Sequence, residues 1–316
     1  MRVTRYREDG QTRLGFYDEQ GLVEFDVAAR AWAQATESDW NGTIDSLLDL
    51  LPNGRCYETA KAVEQWLSFG IDSPPRTDLN EVQLLVPIPR PNKLFLLAGN
   101  YAAHIEEGGE TASERAATFP YVFMKPPSTT LVAANAPFQI PSVSPQNIDW
   151  ELELAVVIGR TAKGIAEADA LSYVAGYTVI NDISDRQFCP NPDRKPRERD
   201  RFFDWLHGKW HDGFCPCGPC IADTVAIPDP QSLQMKLTVN DNIKQDASTG
   251  QQIFPVAAVI EFISSFVTLE PGDIISTGTP AGVGKARGEF LGPGDQMVAS
   301  IEGIGSLVTT VEAAAA

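Results

Sequence analysis

The stretch Ile148-Asp149-Trp150-Glu151-Leu152-Glu153-Leu154-Ala155-Val156-Val157-Ile158-Gly159 decides how this chain is read. Polar and apolar residues alternate from Asp149 to Leu154, after which the run turns wholly apolar. A period of two marks a β-strand, here expected to be half-exposed at its start and buried at its end. Residues i and i+2 share a strand face, so Glu151 and Glu153 point one way while Leu152 and Leu154 point the other. A second apolar run, Tyr177–Asn181, closes at Asp182. Three clustered carboxylates repel unless something neutralises them, and a hard divalent cation held by oxygen does so. Two solvated glutamates on an edge strand would give the same E-x-E pattern. The surrounding residues must decide.

Outward from this strand, further strand-like runs appear at 93–99, 121–125, 235–240, 273–278 and 296–301. Helical segments are fewer: 104–110, 167–176 and 255–266, the last with Pro255 suited to a first helical turn. The fold class expected is mostly β with peripheral helices, an α+β protein. Residues 1–85 read as a small accessory unit, with short strands at 12–18 and 21–27 around a turn and helical character from Thr43 to Gly70. The segment 73–81, S-P-P-R-T-D-L-N-E, reads as a linker, and a larger unit follows over residues 86–316.

The chain has 316 residues, 43% of them hydrophobic, and a mean hydropathy of −0.15, enough for a full core. Its net charge of −17 argues against general nucleic-acid binding, which draws affinity from phosphate neutralisation. No apolar run approaches ~18 residues, so no membrane span is expected. The opening M-R-V-T-R-Y-R-E-D-G lacks the apolar core of a signal peptide. With five cysteines, an odd number, this points to a reducing, cytoplasmic setting. Cys215, Cys217 and Cys220 lie close to His207 and His211 and could be drawn as a zinc site. Their C-x-C and C-x-x-C spacings share Cys217 and match no common structural pattern. Proline and glycine punctuate the run, which is expected to form a turn before an apolar segment. An anionic substrate would need local positive charge, for which Lys125, Lys209, Arg186 and a bound cation are candidates.

Three further constellations bear on chemistry. If 104–110 is helical, His104 and Glu107 are i and i+3, and a carboxylate can fix the histidine tautomer for general-base work. An ordinary surface His–Glu pair is the alternative. Thr277-Gly-Thr-Pro-Ala-Gly-Val-Gly284 fails the P-loop pattern, because five residues separate Gly278 from Gly284 and Ala286 follows Lys285. It reads better as a tight loop offering backbone N–H groups and the hydroxyls of Thr277 and Thr279 to a carboxylate. Residues 193–208 are charged, then aromatic. They suit either a closing lid or a solvated loop anchored in the core by Phe202, Phe203 and Trp205.

Taken together, N-Y-A-A-H-I-E-E, F-M-K-P-P-S, D-W-E-L-E-L-A-V-V-I-G, G-Y-T-V-I-N-D-I-S-D-R, G-K-W-H-D-G-F-C-P-C-G-P, V-N-D-N-I-K-Q and L-E-P-G-D-I-I-S-T-G-T-P-A-G-V-G occur in an order that resembles the fumarylacetoacetate hydrolase family, bacterial two-domain type. The resemblance covers about residues 90 to 312. It implies a mixed β-roll or β-sandwich catalytic domain, usually a homodimer, with Mg²⁺ or Mn²⁺ on Glu151, Glu153 and Asp182. It places catalytic roles on His104, Glu107 and Lys209, and substrate contacts on Arg186, Thr279, Thr277 and Lys125. The implied reaction is metal-dependent hydrolysis of the C–C bond of an acylpyruvate-like 2,4-dioxo acid. Decarboxylation of oxaloacetate, or isomerisation or hydration of a 2-oxo-enoic acid, are alternatives through the same enolate. Cys189 stands where many members have glutamine, and the 189–208 arm is longer than in compact members.

Overall fold

The structure, a computed structural model, describes residues 1–70 and 74–314. Its first part contains β1 (Arg2–Glu8), β2 (Gln11–Asp18), β3 (Gly21–Glu24), α1 (Phe25–Thr36), α2 (Tyr57–Ser68) and β4 (Gln83–Leu85). There follow β5 (Leu94–Ala98), α3 (Ala102–Glu107), β6 (Tyr121–Met124), α4 (Pro127–Thr130), β7 (Leu131–Ala133), β8 (Phe138–Gln139), β9 (Ile148–Asp149) and β10 (Leu152–Ile158). Next come α5 (Glu167–Ala170), β11 (Val174–Asn181), β12 (Ser184–Asp185), α6 (Asp200–His207) and β13 (Cys215–Asp223). The chain closes with β14 (Gln234–Val239), β15 (Asn242–Ser248), α7 (Val256–Phe266), β16 (Ile274–Ser276), α8 (Gly284–Arg287), β17 (Gln296–Ile301) and β18 (Gly305–Glu312).

One large mixed sheet runs β3-β2-β1-β13-β11-β10-β16-β5-β6, with β4 paired to β1 and β7 to β13. A five-stranded sheet runs β15-β14-β17-β18-β8. Mostly β with peripheral helices is the architecture observed. The two faces of β10 explain how the layers assemble. Leu152, Leu154, Val156 and Ile158 enter a core shared with Met235, Leu237, Met297, Ala299 and Leu307 of the second sheet. On the opposite face, Ala155 and Val157 pack in a core with Phe25, Ala28, Ala29 and Val63 from α1 and α2. Glu151 and Glu153 continue that second face beyond the apolar part. The N-terminal helices thus cover one end of it and leave the carboxylates at the other.

Several elements differ from expectation. β10 and its approach are buried from the start: Asp149 and Glu153 are 0% exposed and Glu151 only 4%. Alternation arises here from a polar site on one side and core on the other, with no solvent face. The strand expected at 21–27 ends at Glu24, and α1 begins at Phe25, because Phe25, Ala28 and Ala29 recur at helical spacing and are buried. The segment from Thr43 is not a helix until Tyr57. It contains one 3₁₀ turn, Leu47–Leu50, capped by Ser46 and Asp49. In 167–176, helical structure ends by Tyr173 and Val174 opens β11. Cys215–Cys220, expected as a turn, is the first part of a fully buried strand, β13. Of its prolines, Pro219 falls where the ladder to β11 shifts register, and Pro216 pairs with Val132 of β7. The first strand, β1, had no clear signal. It pairs with β13 (Val3 opposite Ile221), so the large sheet runs on across residue 85. Ser73, at the head of the expected linker, lies outside the described residues, as do the last two terminal alanines.

Candidate metal centre and base

The site is assembled where β10, the end of β11 and the arm before β13 meet. Asp182 follows β11 directly, and its N–H donates to the Glu151 carbonyl at 2.8 Å. Asn181 Oδ1 accepts the Glu151 N–H at 2.8 Å, which fixes the other strand at the same level. One ligand oxygen each of Glu151, Glu153 and Asp182 lies within 4.8 Å of the others. The three expected ligands therefore converge, all buried.

Positive charge surrounds them. Lys209 Nζ donates to Glu151 Oε2 and Asp182 Oδ2, each at 2.6 Å. Arg186 Nη2 is 2.5 Å from Glu151 Oε1, and Lys125 Nζ is 2.5 Å from Asp182 Oδ1. Burial works to raise the Glu151 carboxyl, but Arg186 and Lys209 outweigh it and hold it below the usual carboxylate range. Glu153 goes the other way. Burial, reinforced by Asp182 and Glu151, pushes it well above that range. Burial would lower the Lys209 ammonium, yet Asp182 and Glu151 reverse the effect and raise it.

Glu153 Oε2 accepts from Ser276 Oγ at 2.6 Å and from the Gly278 N–H at 2.9 Å. Glu153 Oε1 is buried and has no hydrogen-bond partner. A buried orphan carboxylate oxygen is costly, and one on a residue clustered with two further carboxylates fits an oxygen-seeking divalent cation. The donor set, oxygen alone, suits Mg²⁺ or Mn²⁺ better than a thiolate-seeking metal. The cysteines do not form a comparable group. All five are free, and Cys215 and Cys217 sit in one core while Cys220 sits in the other.

His104 and Glu107 come from the short helix α3, at i and i+3. Glu107 Oε1 is 2.8 Å from His104 Nδ1, and Glu107 Oε2 accepts the Gly282 N–H at 2.8 Å. Burial works to raise the Glu107 carboxyl, but the His104 and Gly282 hydrogen bonds prevail and lower it. An anionic Glu107 accepting from Nδ1–H leaves Nε2 as the free basic nitrogen. The loop that carries Gly282 needs its glycines. Gly282 has φ +107°, and a Cβ there would stand 2.1 Å from the Lys244 carbonyl oxygen.

His104, Glu107 and Arg186 line a cavity of about 1360 Å³ with Phe119, Phe188 and Trp205. The 189–208 arm forms one wall. Its α6 presents Trp205, stacked edge-on against Phe123 at 5.0 Å. Phe202 and Phe203 are 54% and 43% exposed, so only Trp205 of the three aromatics is an anchor.

Other expected substrate contacts sit behind the cavity wall. Lys125 is fully buried and donates to the carbonyls of Ile183, at 2.9 Å, and Phe214. Thr277 donates to the Leu154 carbonyl and accepts from Gln252. Thr279 accepts from Gln245 Nε2 at 2.8 Å, while Gln245 Oε1 accepts the Leu152 N–H. Sequence reasoning missed Gln245, Ser276 and Asn181 as supports. It also missed Asp149, though its i−2 relation to Glu151 was a usable signal.

The scaffold is mostly β and brings together a buried three-carboxylate group that could hold a divalent cation and a histidine oriented by a carboxylate. The chain belongs to the fumarylacetoacetate hydrolase family: residues 93–312 match the family model described as fumarylacetoacetate (FAA) hydrolase C-terminal. Among relatives, the bovine mitochondrial oxaloacetate tautomerase FAHD2A is 36% identical over 268 residues, 84% of this chain and 79% of that one. Among solved structures, maleylpyruvate hydrolase from Sphingobium sp. SYK-6, in complex with manganese(II) and pyruvate, is 28% identical with a TM-score of 0.72 and covers both chains fully. A fumarylacetoacetate hydrolase from Exiguobacterium antarcticum is 30% identical with a TM-score of 0.75, covering 99% of each chain. Family members include hydrolases, isomerases and tautomerases.

Proposed function

We propose that this protein is a divalent-cation-dependent enzyme that moves a proton at C3 of a small 2-oxo dicarboxylic acid, interconverting its enol and keto forms. The observation that carries this is the His104–Glu107 pair, with its free Nε2, lining the same cavity as Arg186, which is bonded to Glu151. Similarity to an oxaloacetate tautomerase supports the substrate class.

Glu151, Glu153 and Asp182 would hold Mg²⁺ or Mn²⁺, which supplies Lewis acidity toward the adjacent carboxylate and keto oxygens of a 2-oxo acid. His104 Nε2 takes the proton from C3. The C3–H electron pair becomes the C2–C3 double bond, and the C2 carbonyl pair moves onto oxygen. Glu107 holds Nδ1–H in place and stabilises the imidazolium that forms. Protonation of the C2 oxygen by the imidazolium gives the enol, and the reverse sequence, ending with the proton delivered to C3, gives the keto form. Lys209, bonded to Glu151 and Asp182, offers its ammonium to the negative charge developing on substrate oxygen. Lys125, Thr277 and Thr279 act by positioning.

Hydrolysis of an acylpyruvate is a second reading, favoured by the likeness to a maleylpyruvate hydrolase along the whole chain. There His104 would deprotonate water for attack on the C4 carbonyl, and the C3–C4 bond would break. The edge strand β6 bears exposed Tyr121 and Met124 next to Phe119, which supports a homodimer through that edge. Five unpaired cysteines support a reducing, cytoplasmic compartment.

The test is to feed EDTA-stripped protein the enol form of oxaloacetate and, separately, an acylpyruvate, each with and without Mg²⁺. Cation-dependent loss of the enol absorbance without pyruvate release supports the tautomerase. Pyruvate release from the acylpyruvate alone supports the hydrolase. Neither reaction, with the cation bound, would refute both.

A further inference from the structure

Asp149 is a fourth buried carboxylate on the face that carries Glu151 and Glu153, and it is fully engaged. Its Oδ1 accepts the N–H groups of Trp150 at 2.8 Å and Gly284 at 2.6 Å. Its Oδ2 accepts Arg186 Nε at 2.7 Å and the Lys285 N–H at 3.0 Å. With these four donors satisfied, Asp149 has no oxygen free for a cation. Its position matters for another reason. The guanidinium it holds by Nε reaches Glu151 Oε1 with Nη2. The loop it holds by Gly284 is the loop whose Gly282 N–H binds Glu107. A chain of contacts thus runs from Glu151, by an ion pair, to Arg186, and by hydrogen bonds through Asp149 to the Gly282–Lys285 segment and on to Glu107 and His104.

We infer that Asp149 is the positioning residue that shares Arg186 with Glu151, so that the guanidinium does not compete with the divalent cation for the Glu151 carboxylate. The inference rests on the assignment of Glu151, Glu153 and Asp182 as the cation site. Its physical basis is charge division. Arg186 is 10% exposed along its side chain and lies between two carboxylates. Two anions within bonding distance divide its attraction. With Asp149 neutral, the whole positive charge falls to Glu151, whose affinity for a second cation drops. Bonds around a metal ligand commonly change affinity by about 10–100-fold when lost.

The test is a calorimetric Mn²⁺ titration of four stripped proteins: wild type, D149N, R186M and D149N/R186M, each checked for folding by its melting curve. Asn at position 149 keeps an oxygen for the Trp150 and Gly284 N–H groups and gives up only the acceptor for Arg186 Nε and the Lys285 N–H, so the loop keeps its Gly284 anchor. Expected results are Mn²⁺ binding weakened about tenfold in D149N, tightened in R186M, and within roughly threefold of wild type in the double variant. A merely structural role for Asp149 would leave the double variant as weak as D149N or weaker, and that result overturns the inference. If D149N does not fold, R186M decides alone: tighter Mn²⁺ binding supports competition by the guanidinium, and unchanged or weaker binding overturns it. Wild-type protein that binds no Mn²⁺ would instead remove the cation-site assignment on which the inference stands.

Discussion

The buried carboxylate floor, linked to the cavity by the Arg186–Glu151 ion pair, and the 189–208 arm that walls the cavity are built on opposite principles. On the floor, Asp149, Glu151, Glu153 and Asp182 are nearly inaccessible and bonded to Lys209, Arg186, Lys125, Ser276 and backbone N–H groups. In the arm, ion pairs such as Arg197–Asp200 are partly exposed, and Phe202 and Phe203 face solvent. Charges buried without their partners are costly, whereas exposed pairs contribute little. On the proposed function the floor would set the reaction and the arm would tune the substrate. Breaking the floor should abolish activity, and altering the arm should only retune it.

The largest effect is expected at the floor. E153Q and D182N should lower cation-dependent turnover by about 10³-fold or more, several kcal/mol of lost Lewis-acid stabilisation, and should lose Mn²⁺ binding by calorimetry. Either variant turning over at near wild-type rate would break the contrast. H104A should lower turnover by roughly 10²–10⁴-fold while still binding Mn²⁺, which separates base from cation site.

A smaller effect concerns Glu107. Its carboxyl lies below its ordinary value of 4.5, so its contribution to stability is present above that value and fades as pH falls through the lowered one. The melting-temperature gap between wild type and E107Q should therefore be widest near neutral pH and narrow on acidification below 4.5. A gap that widens on acidification would contradict the sign. Smallest of all, F202S/F203S should change stability by no more than about 0.5 kcal/mol and act on KM more than kcat. A collapse of kcat in that variant would place the arm in the chemistry.

The same contrast explains what the sequence could disclose. Glu151, Glu153 and Asp182 were legible because strand periodicity places i and i+2 on one face, and because an apolar run ends at the aspartate. His104 and Glu107 were legible from helical spacing. Those are local rules. The seating of Lys209 between Glu151 and Asp182, 58 and 27 residues away, depends on how distant segments meet, and no local pattern encodes that. Nor does one encode Lys125 lying behind the wall. Burial of both faces of β10 hid the difference between a polar site and solvent. Prolines concealed the strand at Cys215, since local propensity gave way to tertiary packing there. Phe25-Asp26-Val27 extended a strand pattern in sequence, yet Phe25, Ala28 and Ala29 needed helical geometry to reach their core.

The most direct test of the central claim is proton exchange at C3 of oxaloacetate in D₂O, followed by proton NMR with stripped protein, with Mg²⁺ restored, and with H104A plus Mg²⁺. The account predicts exchange well above the buffer rate only for wild type with Mg²⁺. Exchange no faster than buffer for Mg²⁺-loaded wild type, or equally fast for H104A, would contradict it.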